Sequence, residues 1–142
     1  MTTRRETILA AVRTALTNTT GVSTRIYRSR VEPITRAESP ALVVEPISDT
    51  AAQNTSLPKL DWSMVVRVSV IVRGAVPDQL ADPIIESLHS KLMADLTLGG
   101  YAIDIQPIGV TFNFTEADGA AGEIQCDYRV LYRTAVANLA SA

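Results

Sequence analysis

The sequence predicts an α+β fold: a mixed, largely antiparallel sheet with two main helices packed on one face. Two stretches repeat apolar residues at helical spacing, others alternate apolar and polar residues as strands do, and the last strands follow one another with no helix between them. The length of 142 residues suits one domain with its own core. We therefore expect a single domain over residues 1–142.

The first helix is predicted from Thr3 to about Thr17. Thr3 and Glu6 have the spacing of a capping box, and Asn18–Gly21 supplies a stop. The apolar residues fall on one helix face, which comprises Ile8, Leu9, Val12, Ala15 and Leu16.

Three strands are predicted next, at Thr24–Arg28, Ala41–Glu45 and Trp62–Arg73, with an Arg-rich connector running from the first strand to Pro33. Between the second and third strands, Ile47–Asp61 is small and polar without a period, which predicts a long loop. The inward residues of the third strand are predicted to be Trp62, Met64, Val66, Val68, Val70 and Val72.

The second helix is predicted to begin with Asp82 as N-cap and Pro83 at the first helical position. A start near Asp78 is the alternative, if Pro83 is tolerated inside the first turns. Gly99-Gly100 is predicted to close the helix. Its apolar stripe comprises Ile84, Ile85, Leu88, Leu92 and Leu96.

The chain after the second helix is predicted to be strands. Tyr101–Ile105 and Val110–Phe114 flank a bend or bulge at Pro107 and Gly109. A polar hairpin loop, residues 116–122, leads to a last strand whose inward residues are Ile124, Cys126, Tyr128, Val130 and Tyr132.

The sequence carries no pattern typical of catalysis, metal binding or a cofactor site, so we expect neither an enzyme nor a cofactor. The single histidine, His89, has no partner pattern around it, and Cys126 is expected to be a small buried hydrophobe. Gly99-Gly100 follows a helix, the reverse of a phosphate-binding loop. Three carboxylates are spaced four residues apart at the second helix: Asp78, Asp82 and Glu86. They are best explained as residues that cap the helix start and interact favourably with the helix dipole.

The charge is unevenly distributed although the net charge is only −2. Residues 1–36 hold seven arginines against two glutamates, whereas the remainder holds six basic and thirteen acidic side chains. This asymmetry suits copies that meet head to tail through unlike surfaces, with scattered solvated charge as the alternative. The Arg-rich stretch Arg25–Arg36, including Arg28 and Arg30, is predicted to contact acidic surface of the next copy.

Two further surfaces are predicted to form contacts. One is the polar face of the sheet, where Val65, Ile71 and Leu131 interrupt charged residues; its charged members are Arg67, Arg73, Asp127, Arg129 and Arg133. The other is the loop Ile47–Asp61, which we expect to be mobile in the free subunit and to order on a partner. Its predicted anchors are Leu57 and Leu60, with Lys59 and Asp61 as polar guides.

The sequence also limits the cellular compartments in which the protein is expected. No apolar run approaches the roughly 20 residues of a membrane helix, no export signal is recognised, and one cysteine suits a reducing compartment. The slightly negative net charge argues against a protein whose main role is to bind nucleic acid. A cytoplasmic protein is expected.

Most of the chain resembles the tail terminator, or tail-completion, proteins of long flexible-tailed, lambda-like bacteriophages. The segments that carry the resemblance are RRETILAAVRTAL, PALVVEP, VVRVSVIVRG, ADPIIESLHSKLMAD, GGYAIDIQPIGVTF and DYRVLYRT.

The resemblance implies a structural virion protein at the tail-head junction, assembled in the host cytoplasm. Six copies would form a ring on the tail tube, stop its polymerisation and offer a surface to head-completion or neck proteins. DNA could pass through such a ring without sequence-specific binding. The alternatives are another neck or tail-tube ring component, or a non-viral α+β domain that binds a small ligand.

Overall fold

The predicted α+β architecture is confirmed in the computed structural model, which describes residues 2–53, 58–116 and 120–141. The elements in chain order are α1 (Arg4–Ala15), β1 (Ile26–Arg28), a single 3-10 turn (Arg36–Glu38), β2 (Ala41–Ala52), β3 (Lys59–Arg73), α2 (Pro77–Met93), β4 (Asp104–Glu116) and β5 (Ala120–Ala135).

The strands form one five-stranded sheet in the order β1-β2-β3-β5-β4. Strands β1 and β2 are parallel, and the other neighbours are antiparallel. The two edges of the sheet are therefore the three-residue β1 and the thirteen-residue β4.

The main core lies between the two helices and one face of this sheet. The stripe predicted for α1 packs there, as do Ile84, Leu88 and Leu92 of α2, with Ile85 partly buried against them. The inward residues predicted for the two longest strands are confirmed: all are buried except Trp62, which is half-buried. A smaller cluster on the opposite face joins Ile34 of the connector to Ala41 and Val43.

The predicted start of α2 at Asp82 is wrong, and the earlier alternative is close to the observed start. The helix begins at Pro77 and tolerates Pro83 in its interior. It ends at Met93, before Gly99-Gly100, which adopt positive φ angles in the turn that follows. Leu96 consequently lies outside the helix and is exposed.

The long loop predicted at Ile47–Asp61 is wrong where the structure describes it. Strand β2 continues to Ala52 and β3 already begins at Lys59, so that Asp49 pairs with Met64 and Ala51 with Trp62. Residues 54–57 of that prediction, which include Leu57, lie outside the described residues. A register shift between Pro46 and Ser48 adds one residue and keeps the strand paired beyond it.

The late strands also run longer than predicted. Tyr101 and Ala102 lie in a turn region, and the two strands predicted on either side of Pro107 are one strand, β4. The bulge predicted at Pro107 and Gly109 is confirmed by a register shift between these residues. The hairpin loop predicted at 116–122 is shorter, because Glu116 pairs with Ala120; its residues 117–119 lie outside the described residues.

Candidate subunit interface

Arginines of the Arg-rich stretch bind groups of their own subunit. Both terminal nitrogens of Arg28 contact the two carboxylate oxygens of Glu6, at 2.9 and 2.8 Å. Arg30 donates to both oxygens of Glu38, at 2.6 and 2.8 Å. Arg25 donates to the backbone carbonyls of Pro40 and Gly21. These arginines therefore hold the connector against α1 and β2, whatever else they contact in an assembly.

The Arg30–Glu38 pair shapes the electrostatics of the connector. Hydrogen bonds from Arg30, and then from the backbone and hydroxyl of Thr35, lower the pKa of Glu38 to about 2. The guanidinium of Arg30 also lies over the ring of Tyr27, 4.6 Å from its centroid. Glu38 is thus held ionised, and the connector is anchored at the sheet edge formed by β1.

One apolar side chain in this basic region projects into solvent. Val31, which follows Arg30 in the chain, is 96% exposed. It borders a shallow groove of about 660 Å³ whose walls include Arg13, Tyr27 and Arg28. Glu32 and Glu38 also line the groove, and Arg28 and Arg30 are paired with Glu6 and Glu38, so this surface carries charges of both signs. We call Val31 with the surrounding groove the Val31 edge.

The polar face of the sheet is built from ion pairs within the subunit. Arg67 contacts Asp127 on the neighbouring strand through two hydrogen bonds of 2.9 and 3.2 Å. Arg73 donates to the carbonyl of Ile34, and Arg129 is exposed. Among the apolar interruptions, Ile71 packs against the small second cluster, whereas Val65 and Leu131 are half-buried.

The residues predicted to guide the loop onto a partner lie in β3. Lys59 and Leu60 are half-buried and pair with Ala135 and Thr134 of β5. Asp61 forms an ion pair of 2.7 Å with Arg133. These residues therefore belong to a paired strand and not to a loop.

A buried polar cluster at the same end of the sheet was not predicted. The carboxylate of Asp49 receives a hydrogen bond of 2.6 Å from Arg5 of α1 and another from the hydroxyl of Tyr132. Arg5 also lies over the ring of Trp62, which stacks on Tyr132. Burial and the bond to Asp49 raise the pKa of Tyr132 well above its usual value. The cluster fixes the start of α1 onto β2, β3 and β5.

Strand β4 presents a row of large apolar side chains at the free edge of the sheet. Val110, Phe112 and Phe114 stand opposite Cys126, Ile124 and Gly122 of β5, so they lie on the helix-side face. They are nevertheless 45%, 53% and 55% exposed, because α2 does not extend over this edge. The rings of Phe112 and Phe114 are 6.4 Å apart.

The start of α2 adjoins this row at its hairpin end. At the hairpin end, Val76, Pro77 and Asp78 line a depression of about 330 Å³ together with Phe114. Asp78, Asp82 and Glu86 are all exposed, and within the described chain no salt bridge engages them. The interpretation of Asp82 as an N-cap is wrong, since it lies inside the helix. We call Val110, Phe112 and Phe114 the apolar row of β4.

The two candidates for a catalytic role were His89 and Cys126. His89 is exposed, and its Nδ1 lies 2.9 Å from the hydroxyl of Tyr128. Cys126 is buried, as predicted, and burial raises the pKa of its thiol to about 11. Over residues 2–53, 58–116 and 120–141, no group of three or more histidine, cysteine or acidic side chains is arranged to hold a metal ion. No helix in these ranges is long and apolar enough to cross a bilayer.

Comparison with known proteins adds no assignment: neither a family model nor a curated protein matches the chain.

Proposed function

We propose that this chain is a structural subunit that forms a ring on a phage tail tube, stops tube growth and presents a surface for head joining. The proposal rests on the resemblance of six segments to tail terminator proteins and on the surfaces of the subunit. It places no catalytic step on any residue.

The observation that carries the proposal is the apolar row of β4. Three large apolar side chains at alternate positions of β4, each about half exposed, line the unpaired edge of the sheet. A contiguous exposed apolar strip of this kind is typical of a protein contact, and an exposed apolar edge strand is an aggregation hazard unless something covers it. Pro107 and the bulge beside it blunt backbone pairing but leave the side chains accessible.

The two unlike edges of the sheet support a ring over a twofold dimer. A ring needs a heterologous contact, in which one surface of a copy meets a different surface of the next. The Val31 edge lies beside β1 and the apolar row lies along β4, at opposite ends of the strand order. Another neck or tail-tube ring component would share this property and remains the nearest alternative.

A second candidate, a small-ligand-binding domain, is favoured by a different cleft. Between the ends of the two helices, Ala11, Ala15, Leu98 and Tyr101 line a largely apolar space of about 340 Å³, with Lys91 at its border. This volume is at the small end of the range for ligand pockets. Such a domain would act as a monomer and would not change the length of tail tubes.

The test is a tube-length assay that combines this chain with a phage tail tube protein from the same source genome. We expect tubes grown with the chain present to be short and uniform, with a ring at one end in electron micrographs. A variant that carries Val136→Asp, an exposed position away from both surfaces, is the control and should act as the wild type does. Tubes of unaltered length with no bound chain would contradict the proposal.

A further inference from the structure

We infer that the cleft between the ends of the two helices binds a small free molecule with an apolar body and a terminal carboxylate. Lys91 binds the carboxylate, and the apolar body lies against Ala11, Ala15 and Leu98. The inference goes beyond the ring proposed above and does not depend on it, because none of the residues that line the cleft belongs to β1 or β4.

The shape of the cleft suits a compact apolar group. Ala11 and Ala15 lie one turn apart on α1 and leave a trough beside α2, since neither side chain extends beyond its Cβ. Leu98, which is buried, and the half-exposed ring of Tyr101 complete the apolar lining. Enclosing an apolar body in this space of about 340 Å³ removes its surface from water.

One wall of the cleft is already formed in the free subunit. Leu98 has a φ of 50°, and Gly99 and Gly100 follow with 79° and 92°. Leucine adopts this left-handed conformation only at a cost in energy, so other contacts must hold the turn. The carbonyl of Thr97 accepts a hydrogen bond of 3.0 Å from the N–H of Gly100, and the carboxylate of Asp95 accepts one of 2.9 Å from the N–H of Gly99. A wall that is formed in advance lowers the ordering cost of binding.

The ammonium of Lys91 is the group available to a carboxylate. Asp95 follows Lys91 by four residues, a spacing that permits an ion pair along a helix. The carboxylate of Asp95 instead accepts hydrogen bonds from the N–H and hydroxyl of Thr97 and from the N–H of Gly99. Within the part of the chain that the structure describes, no salt bridge engages Lys91. Lys91 is half-buried, so water screens its charge only in part.

The other charges at the cleft favour an anion over a cation. The guanidinium of Arg4 lies over the ring of Tyr101, 5.8 Å from its centroid, and donates to the carbonyl of that residue. Its Nε is buried and has no hydrogen-bond partner. Arg4 and Lys91 therefore place two positive charges around the cleft, against the single carboxylate of Asp95, both oxygens of which already accept hydrogen bonds from the turn.

Titration of the full isotope-labelled chain, followed by amide chemical shifts, tests this site with three probes of equal chain length: octanoate, octan-1-ol and octylamine. We expect octanoate to shift the amides of Ala15, Leu98 and Gly99 at about 10 mM or below, since about ten non-hydrogen atoms give a dissociation constant in the millimolar range. Octan-1-ol offers Lys91 no charge and should bind about fivefold more weakly. Octylamine should bind no better than octan-1-ol.

Two lysine variants separate the contribution of charge from that of the apolar lining. Lys91→Gln should weaken octanoate about fivefold and leave octan-1-ol unchanged, because it removes the charge and keeps the lining. Lys59→Gln changes the other lysine of the chain, at the start of β3, and is the matched control. It should bind all three probes as the wild type does.

Three results would overturn the inference: shifts confined to the apolar row of β4, equal affinity of octanoate for the wild type and Lys91→Gln, or no shift at about 10 mM. The outcome is independent of the tube-length assay. Capped tubes without octanoate binding reject this site and leave the ring, whereas octanoate binding without capped tubes rejects the ring and leaves the site.

Discussion

Arginine positions show what single residues contribute to this structure. Arg28 and Arg30 look from the sequence like free positive charge, yet each binds a carboxylate of the same subunit with two hydrogen bonds. Composition reveals an excess of arginine but not its partners, which lie 22 and 8 residues away in the chain. A double reversal of Arg28 and Arg30 to Glu, aimed at the predicted contact with the next copy, would also break these pairs.

An exchange of charges separates the structural role of Arg28 from its role in assembly. We expect Arg28→Glu to lower the free energy of unfolding by up to about 1 kcal/mol, since it sets two carboxylates against each other at a partly exposed site. Adding Glu6→Arg should restore stability by re-forming the pair. Urea denaturation of both variants measures this, and a double variant no more stable than the single one would contradict the pairing.

The Arg30–Glu38 pair predicts a dependence of stability on pH. The pKa of Glu38 is about 2 in the folded chain, against an ordinary value of 4.5. Its stabilising contribution is therefore complete above pH 4.5 and is lost as the pH falls towards 2.

Thermal unfolding of Glu38→Gln across this range checks the dependence. The variant should melt below the wild type at neutral pH, and the difference should shrink as the pH falls from 4.5 to 2. Glu32→Gln, a nearby change that leaves the Arg30 pair in place, is the control. A difference that stays constant with pH would show that the pair contributes nothing through its ionisation.

Val68 tests the assignment of the sheet faces at one position. It is fully buried in the main core, so Val68→Ala should lower the free energy of unfolding by about 1 to 3 kcal/mol through lost burial and a residual cavity. Val136→Ala, at an exposed position, should have little effect. Equal melting temperatures of the two variants would place Val68 on the wrong face.

At the scale of elements, Gly122 sets how closely β5 approaches α2. A Cβ at this position would lie 2.5 Å from the Cβ of Pro77, so Gly122→Ala must push the start of α2 away. We expect a loss of about 1 to 3 kcal/mol in the free energy of unfolding. Gly109→Ala is the matched control on the adjacent strand, because no atom lies within 4 Å of its added Cβ. Similar losses for both variants would argue against this contact.

The elements predicted best are those whose pattern reflects burial against the core. The stripes of α1 and α2, apart from Leu96, and the alternation in β3 and β5 are formed by apolar residues that do pack there. The extension of β2 was missed because its inward position is Asp49, whose Oδ2 accepts hydrogen bonds from Arg5 and Tyr132. Those partners lie 44 and 83 residues away, so no local period could reveal a strand.

The start of α2 and the exposure of β4 depend on contacts between elements in the same way. Asp82-Pro83 is a good local signal for a helix start, but Pro77 packs near Gly122 and the helix begins there. The alternation of Val110–Phe114 predicts a strand, whereas the half-exposure of its apolar row follows from the position of β4 at the sheet edge. The candidate surface could therefore not be found from the sequence alone.

At the scale of the whole molecule, the account rests on a sheet with two unlike edges. One edge carries the exposed Val31 among arginines and glutamates, and the other carries the apolar row of β4 with Asp78 at its hairpin end. Copies that meet through these two unlike edges make a heterologous contact, which produces a closed ring or an open fibre.

The most direct test is the mass of complementary variants in solution, measured by sedimentation. Val31→Asp alters the edge beside β1 and Phe112→Asp alters the edge formed by β4. If the copies of the ring join through these unlike edges, each variant alone should sediment as a monomer of 15.3 kDa. Their equimolar mixture retains one unaltered edge of each kind and should form a dimer that grows no further, while the wild type should form larger assemblies. A mixture that remains monomeric, or a wild type and variants with identical mass distributions, would contradict the head-to-tail ring.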